Sequence, residues 1–288
     1  LSIADEAVSV IGEGVDGIDH AIVGSEALFQ TTKIISGEDR SDPKPLYEKA
    51  QTELVSASEK ISKVNAKLKD ESFLDNFPLV VRERLVDLQG RIGLYQKLVD
   101  QARVAAILLP EITAIEGKKS YLVLLQNNLE LRPAGGFIGS YGKFDFENGR
   151  LAGIKVDDIY ALDGQLKDVI EPPVEIKTHL NVDRWYLRDS NYDPDFPTSA
   201  KQASFFFKKE GGDLINGVVA LDLTASSKLL NAVGGLDLPE YGESVDGDNL
   251  FERAISHAEV GFFPGSQAKK NYLVSLQTQL FNKVFYLS

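Results

Sequence analysis

YLVLLQNNLELRPAGGFIGSYG, residues 121–142, opens on five apolar side chains, Tyr121 to Leu125, enough for one buried strand. A polar elbow follows in Gln126, Asn127, Asn128, Glu130 and Arg132, and then Pro133, Gly135, Gly136 and Gly139 free the backbone for tight turns. Two readings stand side by side. A strand ending in amides, a carboxylate, an arginine and bare N–H groups suits an anion, because a guanidinium forks onto phosphate or carboxylate oxygens and glycines let amides approach closely. Alternatively, the glycines shape a hairpin and Arg132 pairs with Glu130.

Ahead of this stretch the chain reads as helices. Apolar residues recur at three- and four-residue spacings from Ser2 to Ile35, interrupted by Gly12, Gly14, Gly17 and Gly24. A polar loop, Ser36 to Lys44, leads to a second helix from Pro45 to Lys69, with Leu46, Ala50, Leu54, Ala57, Ile61, Val64 and Leu68 on one face. After a turn at Asp70–Phe77, a third helix runs from Pro78 to about Leu109. Long amphipathic helices with short links predict an antiparallel bundle over residues 1–116, acting as a spacer or interaction module. The apolar repeat is irregular for a coiled coil. His20 stands without a catalytic neighbour in sequence.

From residue 117 the composition turns to β-branched and aromatic residues with frequent glycine turns. Strands are expected at Ser120–Gln126, Phe137–Phe146 and Leu151–Tyr160, the last two joined across Asn148-Gly149, a strong hairpin signal. Helices are expected at Gly164–Val169, Thr198–Lys209 with Thr198 or Ser199 as cap, Thr224–Val233, Asn249–Val260 and Gln267–Phe285. Val174–Leu180 reads as irregular or a short helix. Further strands fall at Val218–Leu221 and Leu236–Pro239. The fold class is therefore α+β with two domains: the bundle, then a mixed sheet covered by helices over residues 117–288.

The charge balance is −12 with a pI near 4.8. That argues against a broad nucleic-acid surface or docking on anionic lipid, both of which need basic patches. There is no cysteine, which excludes disulfides, thiolate catalysis and zinc–sulfur sites. Leu1 is not a translational start, so the chain is expected to be part of a longer product, with any membrane anchor outside it.

QNNLELRPAGGFIGSYG resembles the signature of a bacterial family, domain of unknown function four thousand and twelve. YALDGQ (residues 160–165), WYLRDSNYDPDFPTSA (185–200), GVVALDL (217–223) and HAEVGFFPGSQAKK (257–270) match it too, so the resemblance spans Lys118 to about Phe285. It implies an extracytoplasmic protein of the bacterial cell envelope, membrane-anchored ahead of a helical segment. More distantly the domain resembles the LytR-CpsA-Psr fold, whose enzymes move glycopolymers from polyprenyl pyrophosphate to the cell wall. On that resemblance Arg132 falls where the family has the arginine of an Asp-Ser-Arg motif. Lys269 and Lys270 stand where it has phosphate-binding arginines, and Asp157–Asp158 lies where it has Arg-Asp. Lysine in place of arginine, Glu130 two residues before Arg132, and the missing arginine at position 157 are departures, and they touch the chemistry more than the fold.

A phosphate-and-metal site assembled from these residues has Arg132, Asp157 and Asp158 as catalytic groups. Arg132, Lys269, Lys270, Gly135 and Gly136 bind the pyrophosphate, and Mg²⁺ is held by carboxylates among Glu130, Asp157, Asp158 and Asp189. Ser266 after Pro264-Gly265 is the expected cap of the last helix. That puts both lysines in a first turn, unfavourable for cations without a nearby anion. A second candidate is the loop RDSNYDPDFP, in which Asp189, Asn191, Asp193 and Asp195 alternate like the oxygen ligands of a Ca²⁺ loop. Pro194 at the glycine position and Ala200 at the bidentate-glutamate position exclude an EF-hand. The other reading is a turn-rich loop whose carboxylates cap amides and pair with Arg184 or Arg188. The first functional expectation is binding, and in its fuller form transfer, of a polyprenyl-pyrophosphate-linked wall glycopolymer. The second is a non-enzymatic cell-surface scaffold or adhesion module with a degenerate transferase-like domain.

Overall fold

A computed structural model describes residues 3–259 and 268–285. It divides into two compact units, Leu1–Gly117 with Glu147–Arg150, and Lys118–Phe146 with Leu151–Ser288. Pro264, Gly265 and Ser266 lie outside the described residues.

The first unit is helical: α1 (Ile3–Ile35), α2 (Lys44–Lys69), a single turn α3 (Glu71–Leu74) and α4 (Leu79–Ile112). α2 is the middle of the layer. It buries Tyr47, Ala50, Leu54, Ala57, Ile61, Val64 and Leu68, a three-four alternation that presents one continuous apolar seam. Tyr47, not Leu46, begins that seam. Gly14, Gly17 and Gly24 of α1 lie over Val64, Ile61 and Leu54 in reverse order, so the two helices run antiparallel. Polar pairs tie the helices together: His20 Nδ1 to Glu53 Oε2 at 2.6 Å, Ser58 Oγ donating to Asp100 Oδ1 at 2.6 Å, and Gln51 Nε2 donating to the Ala106 carbonyl at 2.9 Å.

The second unit is a mixed α and β structure. Four strands, β1 (Lys118–Arg132), β2 (Gly135–Glu147), β3 (Arg150–Asp158) and β4 (Gly217–Asp222), lie in the order β3-β2-β1-β4. β1 and β4 are parallel, with Tyr121 opposite Gly217 and Gln126 opposite Asp222. The two-residue connections Pro133-Ala134 and Asn148-Gly149 make β1-β2 and β2-β3 hairpins. Central β1 is buried on both faces. Leu122 and Leu124 join Ile138, Leu187, Phe206 and Phe207 in one cluster, and Val123 and Leu125 turn to the opposite face.

Around the sheet lie α5 (Ile159–Asp163), α6 (Val174–Leu180), a 3-10 turn (Leu187–Tyr192), α7 (Phe196–Lys209), α8 (Leu223–Val233), α9 (Leu250–Glu259) and α10 (Ala268–Phe285). A small hairpin, β5 (Leu236–Leu238) and β6 (Glu243–Val245), packs with α8, α9 and α10 through Leu230, Leu238, Leu250 and Leu276. α10 also reaches the sheet, where Phe281 meets Phe144 edge-on at 4.8 Å.

Two local expectations are corrected. The helix expected at Gly164–Val169 forms one turn earlier, because Asp158 accepts from Tyr160 N and starts it there. The cap of α7 is Asp195, whose carboxylate accepts from Thr198 N at 3.1 Å and from Thr198 Oγ1 at 2.6 Å. Among the described residues no helix is long and apolar enough to cross a membrane.

The close α1–α2 approach makes a contrast that mutation reads directly. A Cβ on Gly24 would sit 2.8 Å from Leu54 Cγ and 3.1 Å from Leu54 N, whereas one on Gly12 meets nothing within 4 Å. In denaturant melts Gly12→Ala should stabilise the helical unit by up to about 1 kcal/mol, while Gly24→Ala destabilises it despite the same helix-propensity gain.

Candidate functional site

The elbow after Leu125 and the loop after Trp185 meet. Arg132, at the end of β1, has a side chain 13% exposed; its Nη2 lies 3.3 Å from Glu130 Oε1 and 3.8 Å from Asp189 Oδ1. Its guanidinium stacks over Phe137 at 5.3 Å. On the far side of Asp189, Oδ2 lies 3.5 Å from Arg188 Nε, and Arg188 Nη1 donates to Asp163 Oδ2 at 2.7 Å. Arg188 is sandwiched between Tyr186 and Tyr160, 4.3 and 5.1 Å from their rings. The result is an alternating row, Arg132–Asp189–Arg188–Asp163, with Asp163 and Asp189 both buried. Burial raises the Asp189 carboxyl, and Arg188 and then Arg132 hold it back.

The row ends on a carboxyl pair. Glu210, just after α7 and 1% exposed, accepts from Leu187 N at 3.2 Å and neighbours the Asp163 carboxyl. Burial, and next the Asp163 charge, push Glu210 up to about 8; burial pushes Asp163 to about 6 despite Arg188. Asp163 Oδ1 and Glu210 Oε2 find no donor among protein groups. A proton shared between the two carboxyls would satisfy both oxygens.

The remaining sequence-predicted residues go elsewhere. Asn191 Nδ2 donates to the Gly136 carbonyl at 2.7 Å, and its own carbonyl accepts from Ala134 N at 3.2 Å, pinning the β1-β2 turn. Gly135 has φ +117°, and a Cβ on Gly136 would overlap the Asn127 carbonyl, so both glycines serve the hairpin's close backbone approach. Asp193 Oδ1 accepts from Asp195 N at 2.8 Å, and Asp195 caps α7. Asp158 caps α5, and Asp157 pairs with Lys155 at 3.0 Å. Asp189, Asn191, Asp193 and Asp195 therefore do not converge, and among the described residues no three Asp, Glu, His or Cys side chains gather where they could hold a metal ion. The set does not fit Ca²⁺ or Mg²⁺. Lys269 and Lys270 are in the first turn of α10, but their side chains lie outside the described residues.

An open polar cleft of this unit lies next to the row. A cavity of about 430 Å³ is lined by Tyr141, Lys143, Lys155, Asp157, Gln165 and Glu210, among others. Its lysines are matched by carboxylates: Lys143 lies 2.9 Å from Asp213 and 3.1 Å from Asp145. Such a surface offers paired donors and acceptors with carboxylates in slight excess. Arg188, Asp163 and Glu210 were not singled out in the sequence as site residues. Arg188 and Asp163 nonetheless sit inside the quoted WYLRDSN and YALDGQ segments; Glu210 carried no signal beyond its place before Gly211-Gly212.

Residues 116–258 match the family model described as Protein of unknown function (DUF4012). The match supports the resemblance to this family over that stretch. The match takes in the whole charged row, including Arg132, Asp163, Arg188, Asp189 and Glu210, and stops before Lys269. No curated protein and no solved structure matches the chain.

Asp189→Ala leaves two guanidiniums without their shared carboxylate and should cost about 3–5 kcal/mol of stability in a denaturant titration. The carboxyl pair gives a pH signature of the opposite sense to an ordinary paired carboxylate. Both folded values exceed their ordinary values of 3.8 and 4.5, so the folded domain binds more protons than the unfolded chain from about pH 4 upward. The stabilisation is full below the unfolded values and is lost as pH rises through about 8. Glu210→Gln, which keeps a neutral hydrogen-bond donor, should flatten the fall in melting temperature between pH 5 and 8.

Proposed function

We propose that this protein is a non-enzymatic module of the bacterial cell envelope whose α/β unit holds the saccharide part of a wall glycopolymer without transferring it. The envelope setting rests on the family resemblance. The observation that carries the non-enzymatic reading is Arg132: its guanidinium is engaged by Glu130, Asp189 and the Phe137 ring. A phosphoryl-transfer site needs cations and metal aimed at the oxygens where charge develops, and Asp157, Asp158 and Arg132 do not supply that arrangement. The cleft at Lys143, Lys155, Asp157 and Gln165 supports recognition of hydroxyl groups, since planar carboxylates and amides bridge neighbouring hydroxyls and each lysine is already paired with a carboxylate.

Two assays separate binding from transfer. Geranyl pyrophosphate with Mg²⁺ should leave the melting temperature unchanged, and Arg132→Ala should melt lower with or without it. Retention on purified wall glycopolymer should fall at least about tenfold in Asp157→Ala/Lys155→Ala, with the fold intact by circular dichroism. Release of polyprenyl phosphate by the wild type, or a pyrophosphate-induced shift lost in Arg132→Ala, overturns the proposal in favour of transfer.

A further inference from the structure

The cleft at Lys155 and Asp157 continues past Glu210. A second cavity, of about 460 Å³, adjoins it, and Gln165, Glu210 and Gly211 belong to the lining of both. Each cavity falls within the roughly 300–1,000 Å³ range of small-ligand sites. The boundary between them is low. Gly211 has φ +91°, and a Cβ there would meet nothing within 4 Å, so bare backbone with open space above it joins the two. Gln165, the second shared residue, is exposed and donates to the Ala161 carbonyl at 3.3 Å, while Glu210 is buried.

The polar chemistry repeats on the two sides of this boundary. In the cleft Lys155 Nζ lies 3.0 Å from Asp157 Oδ2, and in the second cavity Lys209 Nζ lies 2.7 Å from Asp168 Oδ2. β3 supplies the first pair; the end of α7 and the segment after α5 supply the second. Each pair offers a donor beside an acceptor, the same provision for neighbouring hydroxyl groups. One small ligand has no use for that provision twice, whereas a chain of linked saccharides presents hydroxyl groups again at each residue. A residue tethered to one already held reaches the second place without a new encounter, so even modest contacts there add affinity. We propose that the cleft and the second cavity are consecutive subsites that take two adjoining residues of one saccharide chain, an assignment that rests on the saccharide reading of the cleft.

Titration calorimetry of the full 288-residue chain tests it. The probes are oligomers of one to about six saccharide residues cut from the purified wall glycopolymer, and affinity should rise at least about tenfold from one residue to two and little beyond. Asp168→Ala/Lys209→Ala removes both members of an exposed pair and leaves neither charge unmatched, so the fold is retained by circular dichroism. That variant should bind the longer oligomers about tenfold more weakly and a single residue within about twofold of the wild type. A wild type that binds one residue as tightly as several overturns the proposal and leaves the saccharide reading standing. So does a variant that loses affinity equally at every length, or at none. A wild type that holds neither the polymer nor any oligomer overturns both.

Discussion

The α/β unit depends on one interaction, the two-sided engagement of Asp189 by Arg132 and Arg188. Removing charges from water costs several kcal/mol each, and the attraction of two guanidiniums at 3.5 and 3.8 Å offsets it here. Here the geometry is assembled from segments far apart in sequence. The end of β1 supplies Arg132, the turn after Trp185 supplies Arg188 and Asp189, α5 supplies Asp163, and the end of α7 supplies Glu210. Each would be costly alone in a buried setting, so the row selects the one arrangement in which all are present. Asn191 then fastens the same turn to the Gly136 carbonyl, and the Pro133–Gly136 hairpin has little freedom left.

This architecture explains why residues that look like an anion site in sequence behave otherwise. Guanidiniums recognise carboxylates and phosphates by the same fork. An arginine beside glycines is consistent with either until the partner is known, and in this chain the partner is an internal carboxylate. Glu210, raised by burial and by the Asp163 charge, closes the row beside another carboxyl, and a proton shared by the pair limits the negative charge gathered there.

Sequence patterns captured the elements whose cause is local. The three long helices, the apolar run of β1 and the Asn148-Gly149 hairpin follow from periodicity and turn chemistry, which act over a few residues. The capping and ion-pairing reading of the RDSNYDPDFP loop also rested on local chemistry, and Asp195 and Arg188 act in that way. Sequence did not give the placement of Glu210, twenty-three residues from its Leu187 partner, or the Asp163–Arg188 contact across twenty-five. Such pairings are set by tertiary packing, and no spacing rule reports them.

The most direct test of this account is a double-mutant cycle between Arg132 and Asp189, measured by equilibrium denaturation of Arg132→Met, Asp189→Leu and the double variant. If the arginine is a structural ion of the row, the two single losses are large and strongly coupled. The double variant then falls well short of their sum, with an interaction energy of about 1–3 kcal/mol. Coupling near zero, with Arg132→Met as stable as the wild type, would contradict it and return Arg132 to the role of a residue held ready for a ligand.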